Sequence, residues 1–166
     1  MRKFNWMMAA LMAFALSFAA CEKDKPGTDD PSKPQPPTPT ELTFEISVAD
    51  VTRTSAFINV TPSDLEADYL AVVYNAYSVE QYATDAELIA KIFADITSYA
   101  EGQNQTFVEY MAEHVKRGKL ENHEVGGLTQ ATNYYLLVFG VDNANEYAAS
   151  TAVKMAKFKT DEAQQS

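Results

Sequence analysis

The chain has 166 residues, with 23 acidic against 13 basic side chains and a formal net charge of −10. A surface of that sign repels nucleic-acid phosphates and anionic lipid heads, and no basic patch offsets it: the densest cluster is Lys116, Arg117 and Lys119. A single cysteine, Cys21, excludes an intrachain disulfide.

The first element is a targeting segment. Arg2 and Lys3 make a basic start, and no charge follows from Phe4 to Ala20. An uncharged run of about 17 residues is at the short limit for a spanning helix and fits the apolar region of a signal peptide. Ala19 and Ala20 stand directly before Cys21, with Phe18 three positions before it. This resembles the lipobox of bacterial lipoproteins, which usually has leucine where Phe18 stands. The resemblance implies cleavage after residue 20, acylation of the Cys21 sulfur and a membrane partnership through the lipid. More than one fatty chain anchors stably, because each buried CH₂ contributes about 0.8 kcal/mol. Removing Arg2 and Lys3 leaves 11 basic against 23 acidic residues, a net of −12, and takes away Trp6, the one tryptophan.

Residues 21–41 form a stalk. Six of the seven prolines fall between Pro26 and Pro39, in a stretch with almost no apolar side chain to bury. A polyproline path of about 3.1 Å per residue would extend it to roughly 40 Å. Glu22, Lys23, Asp24, Asp29 and Asp30 resemble the charged tether that sends some lipoproteins of Gram-negative gut anaerobes to the cell surface. The expected location is therefore the outer membrane, lipid-anchored and surface-exposed, with a periplasm-facing anchor as the other outcome.

Residues 42–160 have the composition of one globular domain, and 161–166 read as a tail. Leu42, Phe44, Ile46 and Val48 alternate with polar residues, which predicts a strand with one wet face. Ala56, Ile58 and Val60 line one face of a second strand that Pro62 ends. The third strand, DYLAVVYNAY, is apolar on both faces, and so is NYYLLVFGVD; something must cover each face. Between them the period changes. Thr84 with Glu87, and Thr106 with Glu109, have the spacing of capping boxes. Leu88, Ile92, Ile96 and Tyr99 predict the stripe of one helix, and Phe107, Met111 and Val115 that of another. Gly118 is placed to end the second helix after Lys116 and Arg117, and a shorter box at Ser78–Gln81 predicts a helical turn before both. The last strand, STAVKMAKFKT, is weaker, and its lysines suit a sheet edge.

The run LTQATNYYLLVFGV resembles the approach to the penultimate strand of a fibronectin type III domain. That family reads leucine, proline, threonine and tyrosine at steps of two, and those places here hold Leu128, Gln130, Thr132 and Tyr134. The resemblance implies a fibronectin type III or immunoglobulin-like β-sandwich over about 42–160, mainly β, with a helical insertion at about 78–118 whose two helices pack on one sheet. It also implies that Tyr134 is a tyrosine corner, its hydroxyl bonded to backbone a few residues upstream. Similar domains behind a lipobox and stalk occur in uncharacterised lipoproteins of gut anaerobes. No tryptophan occupies the second strand, where many members of the family have one.

Motifs for chemistry are sparse. Glu121 and His123 would share a face of a regular strand, but two candidate ligands are too few for a metal site, and His114 follows Glu113 on a helix. There is no serine in a glycine-lined turn and no phosphate-cradling glycine loop. No cofactor, no metal and no enzyme activity are expected. Tyr69, Tyr74, Tyr134 and Tyr135 are explained by the core, whereas Tyr77, Tyr82, Tyr110 and Tyr147 are expected to be exposed. Tyr147, in the DNANEY turn, is the leading candidate contact residue. The expected function is a non-catalytic, lipid-anchored envelope module displayed for contact with protein or extracellular polymer. The alternative is a glycan-binding lipoprotein of a polysaccharide-uptake system, which requires exposed tyrosines grouped into a platform or groove. No further domain follows the last strand in this chain, so the module itself is expected to carry the contact.

Overall fold

The computed structural model describes residues 41–163. The signal segment, Cys21 and nearly all of the stalk lie outside the described residues.

Eight strands and three α-helices follow in the order β1 (Phe44–Ala49), β2 (Ser55–Pro62), β3 (Asp68–Asn75), α1 (Ala76–Val79), α2 (Asp85–Gly102), α3 (Phe107–His114), β4 (Lys116–Arg117), β5 (Leu120–Gly126), β6 (Asn133–Asp142), β7 (Ala148–Ala149) and β8 (Lys154–Lys159). They form two antiparallel sheets. One is ordered β1-β2-β5; the other runs β4-β3-β6, with β8 and the short β7 on the far side of β6. The protein is therefore mainly β, with helical elements between β3 and β4.

The two doubly apolar strands explain the layering. Tyr69 of β3 and Leu136 and Val138 of β6 face the other sheet, where Phe44, Ile58 and Val60 close on them. Leu70, Leu137, Phe139 and Val141 face the opposite way and are buried under Leu88, Ile92, Ile96 and Met111 of α2 and α3. Each face of the central pair is thus covered, one by strands and one by helices, as two apolar faces require. Phe93 joins the helical layer to the sheet, with its ring centroid 5.3 Å from Phe107 and 5.8 Å from Phe139.

The helix starts follow local chemistry. Thr84 Oγ1 accepts from the Glu87 amide while Glu87 Oε2 accepts from the Thr84 amide, and Thr106 and Glu109 repeat the pair. Three boundaries differ from expectation. The first helical turn begins at Ala76, capped by Asn75 Oδ1, which accepts from the Ser78 amide; Ser78 is inside the turn, not its cap. Lys116 and Arg117 are not helical: α3 stops at His114, and they pair with Tyr69 and Asp68 as β4. Gly118, at φ +71°, turns the chain after β4 rather than ending a helix. Its carbonyl accepts from the Tyr69 hydroxyl at 3.0 Å, tying this turn to the core.

β5 departs from alternation. Leu120 and Val125 both pack on the inter-sheet core although an odd step separates them. A bulge reconciles the two: Glu121 and Asn122 together oppose Asn59, between the pairs Leu120–Val60 and His123–Ile58. Asn122 sits at φ +49° and its amide donates to Asn59 Oδ1 at 2.8 Å. Glu121 and His123 therefore do not stand on one face as a regular strand would place them.

The loop before β6 is fastened by two hydroxyls. Tyr134 Oη accepts from the Thr129 amide, five residues upstream, at 2.8 Å. The Thr160 hydroxyl donates to the Thr129 carbonyl at 2.6 Å and accepts from the Thr132 amide at 3.0 Å.

Candidate functional site

The site follows from which edge of β3 the fold leaves open. On one side β3 pairs with β6 from Tyr69 to Asn75; on the other, β4 pairs only with Asp68 and Tyr69. The direction of the backbone groups can be read from Gly140, which lies opposite Tyr69. The Gly140 carbonyl accepts from Ser150 and its amide donates to Thr151 Oγ1, so both point away from β3. Tyr69 therefore stands in a non-hydrogen-bonded pair with Gly140, and its own N–H and C=O face β4. Two residues on, Ala71 and Val73 repeat that direction. Beyond Tyr69 no strand among the described residues meets their N–H and C=O groups.

Two hollows of about 400 and 240 Å³ run along this edge. Their walls include Val72, Tyr74, Ile96, Tyr99 and Tyr110 on the helical side, with His114, Lys116 and His123 at the end near β4. The helices place the rings. Tyr99 was expected in the buried stripe of α2, but the stripe turns from Ile96 to Ala100, which is fully buried, leaving Tyr99 59% exposed. The step of four keeps the helix's inward face; the step of three carries Tyr99 to its rim. There its ring meets Tyr110 edge-on at 5.6 Å, and Tyr110 stacks on His114 at 3.8 Å. His114 Nδ1 donates to the Tyr110 carbonyl at 2.8 Å, which fixes the imidazole in the stack.

Electrostatics differ along the groove. At one end the Tyr74 hydroxyl donates to Asp95 Oδ2 at 3.2 Å, and Asp95 is paired with Lys91. Burial first, and then the Asp95 charge and hydrogen bond, hold the Tyr74 phenol far above its ordinary range. Burial and the neighbouring Tyr99 also raise Tyr110. Both phenols stay neutral hydrogen-bonding groups at physiological pH. At the other end Arg117 is bound to Asp68 at 2.7 Å, whereas Lys116 is in no ion pair among the described residues.

A third hollow, of about 610 Å³, opens beside α1, with Tyr77, Asn75, Glu80, Thr132, Asn133 and Lys157 around it. Tyr77 is 80% exposed. Glu80 accepts from Lys157 at 2.8 Å and from the Tyr135 hydroxyl at 3.1 Å. The Lys157 hydrogen bond, then that of Tyr135, hold the Glu80 carboxyl below its usual range.

Of the residues named from sequence, Cys21 lies outside the described residues. Tyr134 is 9% exposed and holds the loop at Thr129. Tyr147, expected to be exposed, is partly buried against the helix-covered core, with its amide donating to the Asp142 carbonyl. His114 and His123 are both exposed and both border the hollow at the β4 end. Among the described residues, no group of three or more His, Cys, Asp or Glu could hold a metal ion, and no helix is long and apolar enough to cross a membrane.

No family model matches the chain, and no curated protein matches it. Among solved structures, it is similar to the sensor domain of the anti-sigma factor RsgI4 of Pseudobacteroides cellulosolvens, at 16% identity over 75% of this chain and 98% of that one, with a TM-score of 0.34. A TM-score that low carries no conclusion about shared function.

Proposed function

We propose that the protein is a lipid-anchored module of the outer membrane, held by Cys21 and displayed at the cell surface on the proline-rich stalk. Its role is contact with protein or extracellular polymer, without catalysis. The described domain is read as a fibronectin type III-like sandwich roofed by its inserted helices. The strand order β1-β2-β5 against β4-β3-β6-β8 and the Tyr134–Thr129 bond support that reading. The observation that carries the function is the gathering of Tyr74, Tyr99 and Tyr110 beside an open strand edge. Aromatic rings with a buried side and a polar tip suit interfaces, and three on one groove make a patch rather than scattered exposure.

The Tyr77 hollow supports the second reading, glycan binding. An exposed ring beside amide, carboxylate and ammonium groups offers a sugar both a stacking face and hydrogen bonds. One experiment separates the two. The protein is presented to envelope proteins and to a glycan array as wild type, Tyr99→Ala and Tyr77→Ala. Capture of protein lost with Tyr99→Ala supports the first reading; glycan binding lost with Tyr77→Ala supports the second. If wild type binds neither, both readings fail. Fatty-acid labelling of wild type against Cys21→Ser tests the anchor.

A further inference from the structure

We infer that the open edge of β3 takes an extended peptide as an added antiparallel strand, and that the peptide carries a carboxylate at its C-terminal end. This deepens the contact reading above and rests on it.

Three observations define the occupant. First, the N–H and C=O groups of Ala71 and Val73 point to the open side, and both residues are partly accessible. Unmet backbone groups at alternate positions are matched by the backbone of another extended chain, which gives affinity with little demand on side-chain identity. The accessible stretch, Ala71 to Asn75, has room for about five residues, roughly 17 Å.

Second, the hollows set the side-chain pattern. Paired residues of adjacent strands point to the same face. Peptide residues opposite Val72 and Tyr74 therefore fall on the helical side, against Ile96, Tyr99 and Tyr110, and should be aromatic or aliphatic. Those opposite Ala71 and Val73 fall on the sandwich side, toward β5.

Third, the charge sets the direction. An added antiparallel strand continues the line of β4 and ends beside Lys116, because β4 runs from Lys116 opposite Tyr69 to Arg117 opposite Asp68. Lys116, His114 and His123 border that end, in a chain whose net charge is −10. An antiparallel peptide brings its C-terminal carboxylate, or an acidic side chain beside it, to Lys116. A parallel one would bring an ammonium there and be repelled.

The test uses the full chain in detergent and fluorescein-labelled heptapeptides with Phe, Tyr, Leu or Val at alternate positions and Glu before a free C-terminus. Binding is read by fluorescence anisotropy. For the tightest peptide, N-methylation of the amides that meet Ala71 and Val73 should weaken binding by about tenfold each, with little effect at the intervening amides. Replacing both carboxylates, by Gln and a C-terminal amide, should weaken it, and Lys116→Gln should then weaken the replaced peptide no further. A period-two response to N-methylation does not depend on any variant folding. The inference is overturned if no peptide binds, or if N-methylation acts without that period. It is also overturned if the chain dimerises with Ala71 and Val73 amides protected from exchange, which would assign the edge to a second copy. Partner capture sensitive to Tyr99→Ala, with no peptide bound, would sink this inference alone; absence of both would sink the contact reading as well.

Discussion

Ile92→Ala tests whether the helices are part of the fold or an appendage. Ile92 lies in the middle of α2, is fully buried, and belongs to the cluster that includes Leu70, Leu137 and Phe139 of the sheet. The substitution removes three carbons from a site walled by strands on one side and helix on the other. Lost transfer free energy and the remaining cavity together cost about 3–4 kcal/mol. That is a large share of the roughly 5–15 kcal/mol that holds a domain folded. With an unfolding entropy of about 2.1 cal/mol/K per residue over some 120 residues, the midpoint should fall by roughly 13 °C. Far-UV circular dichroism during urea and thermal unfolding measures both numbers. A single transition should persist, because losing the roof exposes Leu137 and Phe139 on the central strands. A change below about 1 kcal/mol, or a separate early transition confined to helical signal, would mean that the helices are not integral to the core.

Further predictions concern the loop, the sheet and the acid limb. Tyr134→Phe removes the acceptor of the Thr129 amide and should destabilise by about 1 kcal/mol, the ordinary worth of one such bond; an unchanged urea midpoint would remove the tyrosine corner from the account. Gly140→Ala would bring a Cβ within 2.6 Å of Ser150 Oγ and 2.8 Å of Leu42 Cδ2. Overpacking of this kind costs about 1–3 kcal/mol, and a midpoint equal to wild type would show that both neighbours move aside freely. For pH, hydrogen bonds from Lys157 and then Tyr135 hold the Glu80 carboxyl below the usual carboxylate range. A depressed folded pKa contributes stability that is present above the unfolded value and is lost as pH falls through the folded one. Glu80→Gln should therefore show a shallower loss of urea midpoint below about pH 4.5 than wild type; parallel acid limbs would refute the pairing.

Much of the fold was legible in residue order because the signals are local. The period-two runs of β1 and β2, the Thr84 and Thr106 caps, and the two-sided hydrophobicity of β3 and β6 depend on neighbours within a few positions. Two apolar faces on one strand demand two covers, so a three-layer arrangement followed before any pairing was known. Boundaries were less legible where a cap came from outside the reading frame. Asn75 captures the first turn ahead of Ser78, and the β4 ladder claims Lys116 and Arg117, whose charge suits a helix end equally well.

The site itself was decided by tertiary structure. Tyr99 and Ala100 are both compatible with the α2 stripe on spacing alone, and packing against the sheet chose the smaller residue for the interior. The bulge at Glu121–Asn122 depends on Asn59, some sixty positions away, and it separates Glu121 from His123. The open edge of β3 exists because the chain joins it only at Lys116, after α3, a matter of where a distant segment enters the sheet. Local sequence determines which side chains are wet along an element; only long-range pairing determines which backbone groups are left without a neighbour.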